Sequence, residues 1–252
     1  MVSTLAGIGE LDPLGEVISP GYSGDGGLAA NAALAYPLGV AVDARGNLYI
    51  ADAGNNRIRK INATTGIITT LAGDGFWGYT GDGGPAVNAE IEAGRIAVDP
   101  AGNVYIADYS HHVIRKISVA NGLISTIAGR GVPGYNGEGV DAINAYLNYP
   151  SGITIDASGN IYISDGGNPG FVYGNKNARI RKISATDGKI RTVAGSGASW
   201  INNLNGYSGD GPHATAYLLN FPSGIYVDAN NVLYIADTDN HSQNGASSIN
   251  PS

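Results

Sequence analysis

Short stretches of alternating apolar and polar residues run through this chain, whereas the Ala, Glu, Lys and Leu runs of a helical bundle are few. Residues 40–42 place valines on either side of an alanine, and residues 48–51 place leucine and isoleucine two positions apart. A period of two residues is typical of β-strands with one buried face. Residues 43–47 separate these stretches, and Gly46 supplies the positive φ that a tight hairpin requires. The pattern therefore predicts antiparallel strands joined by short turns.

The predicted hairpin is part of a unit that occurs four times. Residues 42–52 recur as 98–108, 155–165 and 227–237. In the last copy Asn231 stands where the hairpin has glycine, and asparagine tolerates a left-handed backbone better than most residues. Two further signatures recur at matching intervals. One, which we assign to the third strand (strand c) of each copy, lies at 57–61, 114–117 and 179–183, and the other, assigned to the fourth strand (strand d), ends at Gly7, Gly73, Gly129 and Gly195. Four antiparallel strands per copy, a to d in chain order, predict the blades of an all-β propeller.

Three segments of the first copy, residues 37–43, 46–52 and 55–61, resemble NHL repeats. The glycine-rich loop at 21–27 is similar to that of teneurin-type and bacterial extracellular NHL proteins. This resemblance implies a β-propeller, and NHL propellers usually close with about six blades. The repeats of this chain predict four NHL-type blades, the last of which is incomplete because the strand-c signature is not repeated after the fourth strand b. The resemblance also favours an extracellular or periplasmic location within a larger protein, although the chain shows no signal-peptide pattern.

The repeats predict how the chain is divided. We expect a propeller over residues 1–241 and an irregular polar tail at 242–252. The predicted blade units lie at 38–73, 94–129, 151–195 and 223–241, with an N-terminal strand d at 2–6. Two interpretations remain: the chain is a fragment of a six-bladed ring, or the N-terminal strand closes the ring onto the fourth blade. In an open arc, exposed strand edges are expected to cause self-association.

Charge and composition exclude several classes of function. The net charge is −7, so we expect no binding to nucleic acid or to anionic membranes. No apolar stretch approaches the ~18 residues of a membrane span, which predicts no membrane insertion. The chain has no cysteine, so disulfides, thiolate metal sites and cysteine nucleophiles are excluded.

Acidic residues in the glycine-rich loops are the candidates for a metal site. One carboxylate occurs in each copy of the loop: Asp25, Asp82, Glu138 and Asp210. Calcium takes about six to eight oxygen ligands, so these residues could hold it only if several blades converge. The alternative is that each carboxylate accepts hydrogen bonds from backbone amides of its own turn. We therefore expect no cofactor, with calcium as the alternative. His111 and His112 fall in a b–c loop and are expected to be exposed.

Length variation is confined to the b–c and d–a loops, which leave a four-stranded blade at the same end. We call the blade ends that carry these loops the loop face. Four aromatic residues in these loops do not recur at equivalent positions and are the candidate binding residues: Trp77, Phe171, Tyr173 and Trp200. Exposed aromatic residues on loops are typical anchors of binding partners. The periodic tyrosines Tyr22, Tyr79, Tyr135 and Tyr207 are instead expected to pack between blades.

The sequence thus favours a binding module over an enzyme. We expect an NHL-repeat scaffold that recognises a protein, a peptide or a glycan through the loop face. The sequence leaves two alternatives open. One is a propeller-type lyase or lactonase with a metal in the central channel, and the other is a truncated repeat fragment without an independent function. No nucleophile–base pair can be assigned from the sequence.

Overall fold

The computed structural model describes residues 3–8, 21–166, 177–197 and 211–238, together with the backbone of residues 247–249. The candidates Phe171, Tyr173, Trp200 and Asp210 lie outside these residues. Within the described residues, no helix has the length and hydrophobicity needed to cross a bilayer. The regular structure of the described residues consists of β-strands and five 3₁₀ helices of three residues each, at Ala29–Asn31, Ala53–Asn55, Ala86–Asn88, Ala142–Asn144 and Ala214–Ala216.

The described strands form four sheets, one for each copy of the repeat. The first sheet contains β1 (Pro37–Val42), β2 (Leu48–Asp52), β3 (Arg57–Ile61) and β4 (Ile68–Ala72). The second contains β5 (Ile96–Val98), β6 (Val104–Asp108), β7 (Val113–Ile117) and β8 (Ile124–Ala128). Both sheets keep the chain order of their strands, which are predicted strands a to d.

The third and fourth sheets follow the same plan with two differences. The third contains β9 (Val140–Asp141), β10 (Pro150–Ile155), β11 (Ile161–Asp165), β12 (Arg179–Ile183) and β13 (Lys189–Ala194), in the order β10-β11-β12-β13-β9. The fourth contains β14 (Pro222–Val227), β15 (Leu233–Asp237) and β16 (Ser247–Ile249). The all-β blade architecture is thereby confirmed, and the last blade has three strands among the described residues.

The a–b hairpin forms for the reason that the sequence indicated. Gly46 has a φ of 81°, and Asn231 takes the same left-handed conformation in the fourth copy, with a φ of 62°. Asp43 Oδ1 accepts the amides of Arg45 and Asn47, both at 2.9 Å, which closes the turn. The Asn47 side chain then accepts the Ala63 amide at 3.1 Å, so the a–b turn is fixed to the c–d turn.

Two expectations about the chain termini are wrong. Residues 3–6 form no strand; instead the Gly7 and Ile8 amides donate to the Ala29 and Ala32 carbonyls at 3.2 and 2.9 Å. A strand d needs a strand c beside it, and the structure pairs none with these residues. The tail at 242–252 is not wholly irregular, because β16 pairs with β15 and opposes Ile249 to Leu233. Backbone pairing satisfies the free edge of β15 even with a polar sequence.

The chain packs as two compact units, each of which has its own core. The first comprises Met1–Val104 and Ile117–Ser125, and the second Tyr105–Lys116 and Thr126–Ser252. In the first unit β1 lies against β5, and a Cβ on Gly39 would stand 3.3 Å from the Arg95 Cα. In the second, β10 lies against β14, and a Cβ on Gly152 would overlap the Ser223 carbonyl oxygen. Glycine is therefore required where neighbouring strands a meet.

Candidate binding face

The strand register brings the b–c and d–a loops together at one end of each sheet. In the first sheet, Asp52 at the end of β2 is paired with Pro37 at the start of β1 and with Arg57 at the start of β3. Ala72, at the end of β4, pairs with Ile58. The loops that precede β1, link β2 to β3 and follow β4 therefore all emerge at this end, as the sequence analysis expected for the loop face.

A buried aspartate at the end of strand b organises these loops. Asp52 is fully buried, and its Oδ1 accepts the Ala35 amide at 2.7 Å. Its Oδ2 accepts the Asn55 side-chain amide at 2.9 Å and Arg59 Nη1 at 3.3 Å. Asn55 also donates to the Gly21 carbonyl at 2.9 Å. One carboxylate thus joins the b–c loop, the d–a loop and strand c of its own blade.

Asp165 repeats this arrangement in the third sheet. It accepts the Asn148 amide at 2.6 Å and the Asn177 side-chain amide at 2.7 Å, but Arg181 Nη1 stands 3.8 Å away. Burial raises the pKa of Asp165 to about 7, against the opposing effects of these hydrogen bonds and of Arg181. At 3.8 Å, the Arg181 guanidinium compensates only in part for the loss of water around the Asp165 carboxylate.

The second copy replaces the bridging asparagine by histidine. His111 Nδ1 lies 2.6 Å from Asp108 Oδ1, where Asn55 meets Asp52 in the first copy. His112 is buried, and its Nδ1 accepts the Tyr149 amide at 3.1 Å. Burial, and then the charge of His111, lower the pKa of His112. The expectation that both histidines are exposed is therefore wrong, because both rings are used to hold loops in place.

Three further aromatic residues on this face carry no signal in the repeat pattern that marks the candidate binding residues. Each has a left-handed backbone and precedes a proline: Tyr36 (φ 44°), Tyr149 (φ 51°) and Phe221 (φ 54°). Such a φ is uncommon for bulky residues. It is maintained here because the preceding amide is bound by the strand-b aspartate, as at Ala35 and Asn148. The available signal was an aromatic–proline pair seven residues before the first aspartate of three copies.

Asp25, one of the carboxylates proposed as metal ligands, is used within its own blade. Asp25 accepts Arg59 Nη2 at 2.6 Å, the Tyr22 hydroxyl at 2.8 Å and the Thr70 amide at 3.0 Å. Burial raises the pKa of Asp25, but the hydrogen bonds from Thr70, Tyr22 and Arg59 outweigh it and lower the pKa overall. Arg57 lies over the Tyr22 ring at 3.9 Å from its centroid. The periodic tyrosine thus packs on arginines of its own blade.

Glu138 has the same place in the third copy, with one difference. It accepts the Tyr135 hydroxyl at 2.6 Å and the Thr192 amide at 2.6 Å. Arg181 Nε and Nη1 are buried and make no hydrogen bond within the described residues. Asp82 lies exposed at the equivalent position of the second copy. Within the described part of the chain, none of Asp25, Asp82 and Glu138 belongs to a group of three carboxylates or histidines close enough to share an ion.

Trp77 is the one candidate aromatic residue that the structure describes. Its side chain is 60% exposed, and the neighbouring Phe76 is 69% exposed. The loop that carries them is fixed at its base, because Asp74 Oδ1 accepts the Phe76 amide at 2.9 Å and Arg57 donates to the Asp74 carbonyl at 2.7 Å. A rigid base thus presents two adjacent aromatic side chains to solvent.

The comparisons with known proteins agree with this architecture. Residues 5–78 match the family model of the teneurin NHL domain, and residues 219–242 match that of the NHL repeat. The chain is an NHL-repeat protein. Teneurin-4 of Mus musculus is 32% identical to this NHL-repeat chain over 236 residues, which is 86% of the chain and 8% of that protein. Protein SUPPRESSOR OF QUENCHING 1, chloroplastic, of Arabidopsis thaliana is 27% identical over 89% of the chain and 21% of its own length.

Solved structures share the fold at lower identity. An auxiliary nutrient binding protein of Bacteroides ovatus is 19% identical with a TM-score of 0.58, and the match covers 83% of this NHL-repeat chain and 47% of that chain. A chain of the nidogen/laminin complex is 18% identical with a TM-score of 0.53, over 85% of this chain and 60% of that one. The NHL-repeat chain therefore spans only part of the length of the proteins that it matches.

Proposed function

We propose that this chain is a non-enzymatic binding module that recognises a protein partner through the loop face. The observation that carries the proposal is the pair Phe76 and Trp77, which are exposed side by side on a loop with a fixed base. Large aromatic side chains bury much apolar area at a low cost in conformational entropy, and they are enriched among the residues that dominate binding energy.

The internal use of the charged residues supports the same proposal. Asp25, Asp52 and Glu138 accept hydrogen bonds from their own blades, and Arg59 is fully buried between two carboxylates. These groups hold loops in place rather than facing a substrate. Beside Trp77 the loop face presents the exposed ring of Phe76, and Tyr36, which directly precedes β1, is exposed as well. Such a surface suits an apolar protein patch better than a highly charged ligand.

The relatives add support of a general kind. The nidogen/laminin structure is a complex between proteins, and the Bacteroides ovatus structure is described as a nutrient binding protein. We propose further that this chain acts as one domain of a larger extracellular or periplasmic protein, since it matches 8% of Teneurin-4. A relative named as chloroplastic indicates that the fold is not restricted to one compartment. Peptides and glycans remain the alternative ligands for the same face.

A cell-surface binding assay tests the proposal. The tetramerised chain is applied to intact cells, to protease-treated cells and to glycosidase-treated cells. We expect binding that protease abolishes and that Trp77→Ala weakens about tenfold or more, as for an interfacial tryptophan. Thr64 is exposed in the c–d turn at the other end of the first sheet. The variant Thr64→Ala is therefore the matched control and should bind normally. Unchanged binding by Trp77→Ala would refute the loop face as the binding surface. Binding that glycosidase treatment abolishes and protease treatment does not would favour a glycan ligand.

A further inference from the structure

The third and fourth sheets pack face to face, and this interface shows how one blade of the chain recognises the next. Its buried core consists of Tyr162, Ile180 and Ala194 from the third sheet and Val227, Leu233 and Ile235 from the fourth. We call the side of a sheet that carries the equivalents of Tyr162 its trailing face. The side that carries the equivalents of Val227 and Ile235 is its leading face. The interface is therefore a trailing face packed against a leading face.

The leading face of the first sheet is left partly uncovered. Val40 of β1 is 66% exposed, whereas Ile153, at the same position three residues before the first aspartate of the repeat, is 6% exposed. Val42 is exposed as well. Val40 pairs directly with Ile50, which belongs to a buried cluster covered by Ala29 and Ala32 of the d–a loop. The loop thus shields the outer strands of this face and leaves the valines of β1 open.

The trailing face of the fourth sheet is uncovered in the complementary way. Tyr234 is 39% exposed, whereas Tyr162 at the equivalent position of the third sheet is 1% exposed. Tyr226, on the neighbouring strand, is 62% exposed, and its ring centroid lies 6.3 Å from that of Tyr234. Ala236 is exposed beside them. Two tyrosines and an alanine therefore present the kind of surface that Tyr162 and its neighbours present to the fourth sheet.

We propose that a second copy of this chain docks on these surfaces, with the trailing face of the fourth sheet in one copy packed on the leading face of the first sheet in the other. The side chains named on the two surfaces carry no charge, and their pairing reuses an interface that already exists within the chain. Val40 and Val42 replace Ile225 and Val227 as the apolar partners of the tyrosine side. Burial of apolar area drives the association, and the unlike faces make it heterologous rather than two-fold symmetric. This surface is separate from the loop-face aromatics.

Sedimentation equilibrium over a range of concentrations tests the proposal. We expect the wild-type chain to have a concentration-dependent mass above that of a monomer. A lysine at the centre of either surface leaves a buried charge without a partner, so Val40→Lys and Tyr226→Lys should each weaken association about a hundredfold. Val119→Lys, which replaces an exposed valine in the turn between β7 and β8, is the matched control and should associate normally.

Mixing the two variants distinguishes docking of faces from other modes of association. Val40→Lys keeps an intact trailing face and Tyr226→Lys an intact leading face, so each alone should be monomeric while the mixture forms a 1:1 complex. Circular dichroism is the folding control, and both variants should keep the β-sheet signal of the wild type. The proposal is overturned by a monomeric wild type, by association that neither lysine weakens, as in pairing of strand edges, or by a mixture that remains monomeric.

Discussion

The carboxylate of Asp25 should stabilise the first sheet by much more than that of Glu138 stabilises the third, although both occupy the same place in the repeat. Asp25 binds the fully buried Arg59 through Nε at 3.1 Å and Nη2 at 2.6 Å. Glu138 makes no hydrogen bond to Arg181, whose Nε is without a partner among the described residues. The substitutions Asp25→Asn and Glu138→Gln remove the charge with the least change of shape.

The expected magnitudes follow from these contacts. Removal of one partner of a buried ion pair costs about 3–5 kcal/mol. Asp25 has 34% of its side chain exposed, and Arg59 keeps Asp52 at 3.3 Å, so we reduce this range to about 2 kcal/mol for Asp25→Asn. Glu138→Gln retains a neutral acceptor for Tyr135 and Thr192, which predicts a loss of about 1 kcal/mol.

Native-state hydrogen exchange measures these losses locally, which suits a chain with two compact units. The amides of β3 and β4 report on Asp25→Asn, and those of β12 and β13 report on Glu138→Gln. We expect the opening free energy of the first sheet to fall about twice as much as that of the third. Equal losses, or a larger loss in the third sheet, would refute the claim that the Arg59 contact sets the difference.

Two further perturbations test other parts of the scaffold. The pKa of Asp165 is about 7 in the folded chain, above the ~3.9 of an unfolded aspartate carboxyl. The folded state therefore binds a proton at Asp165 more tightly than the unfolded state does. The stabilisation that this proton provides is fully present below about pH 4 and is lost as the pH rises to about 7. Urea denaturation should show this slope in the wild type and a weaker slope in Asp165→Asn; identical slopes would contradict the raised pKa. Gly152→Ala should lower the free energy of unfolding by about 1–3 kcal/mol, because a Cβ at position 152 would overlap the Ser223 backbone. Gly224→Ala, with Ala236 Cβ at 3.7 Å, is the control, and equal effects would exclude close strand packing as the cause.

The strands were predictable because their signals are local. The two-residue period and the turn residues predicted β1 and β2 to within one to three residues, and Asn231 was correctly assigned a left-handed backbone. The contacts of Arg59 are not encoded by a local signal, because its partner Asp25 is 34 residues away and charged strand residues resemble solvent-exposed ones. Burial of such a residue depends on tertiary contacts that periodicity does not encode.

The loop face was less predictable for a related reason. The left-handed backbone of Tyr36 depends on a hydrogen bond from the Ala35 amide to the distant Asp52, and aromatic–proline pairs do not by themselves indicate it. His112 is buried through a contact with Tyr149, 37 residues away. Trp77 was identified because it breaks the repeat, and the structure places it in the open. Phe171, Tyr173 and Trp200 were selected on the same grounds and stay predictions.

Photo-crosslinking tests the central claim most directly. A photoreactive phenylalanine analogue is placed at Phe76 on the loop face or at Thr64 in the c–d turn, both of which are exposed. The chain is applied to cells that bind it and is irradiated, and the crosslinked products are resolved by mass. The account predicts a discrete crosslinked protein from position 76 and none from position 64. A crosslink from position 64 alone, or equal crosslinking from both, would contradict recognition through the loop face.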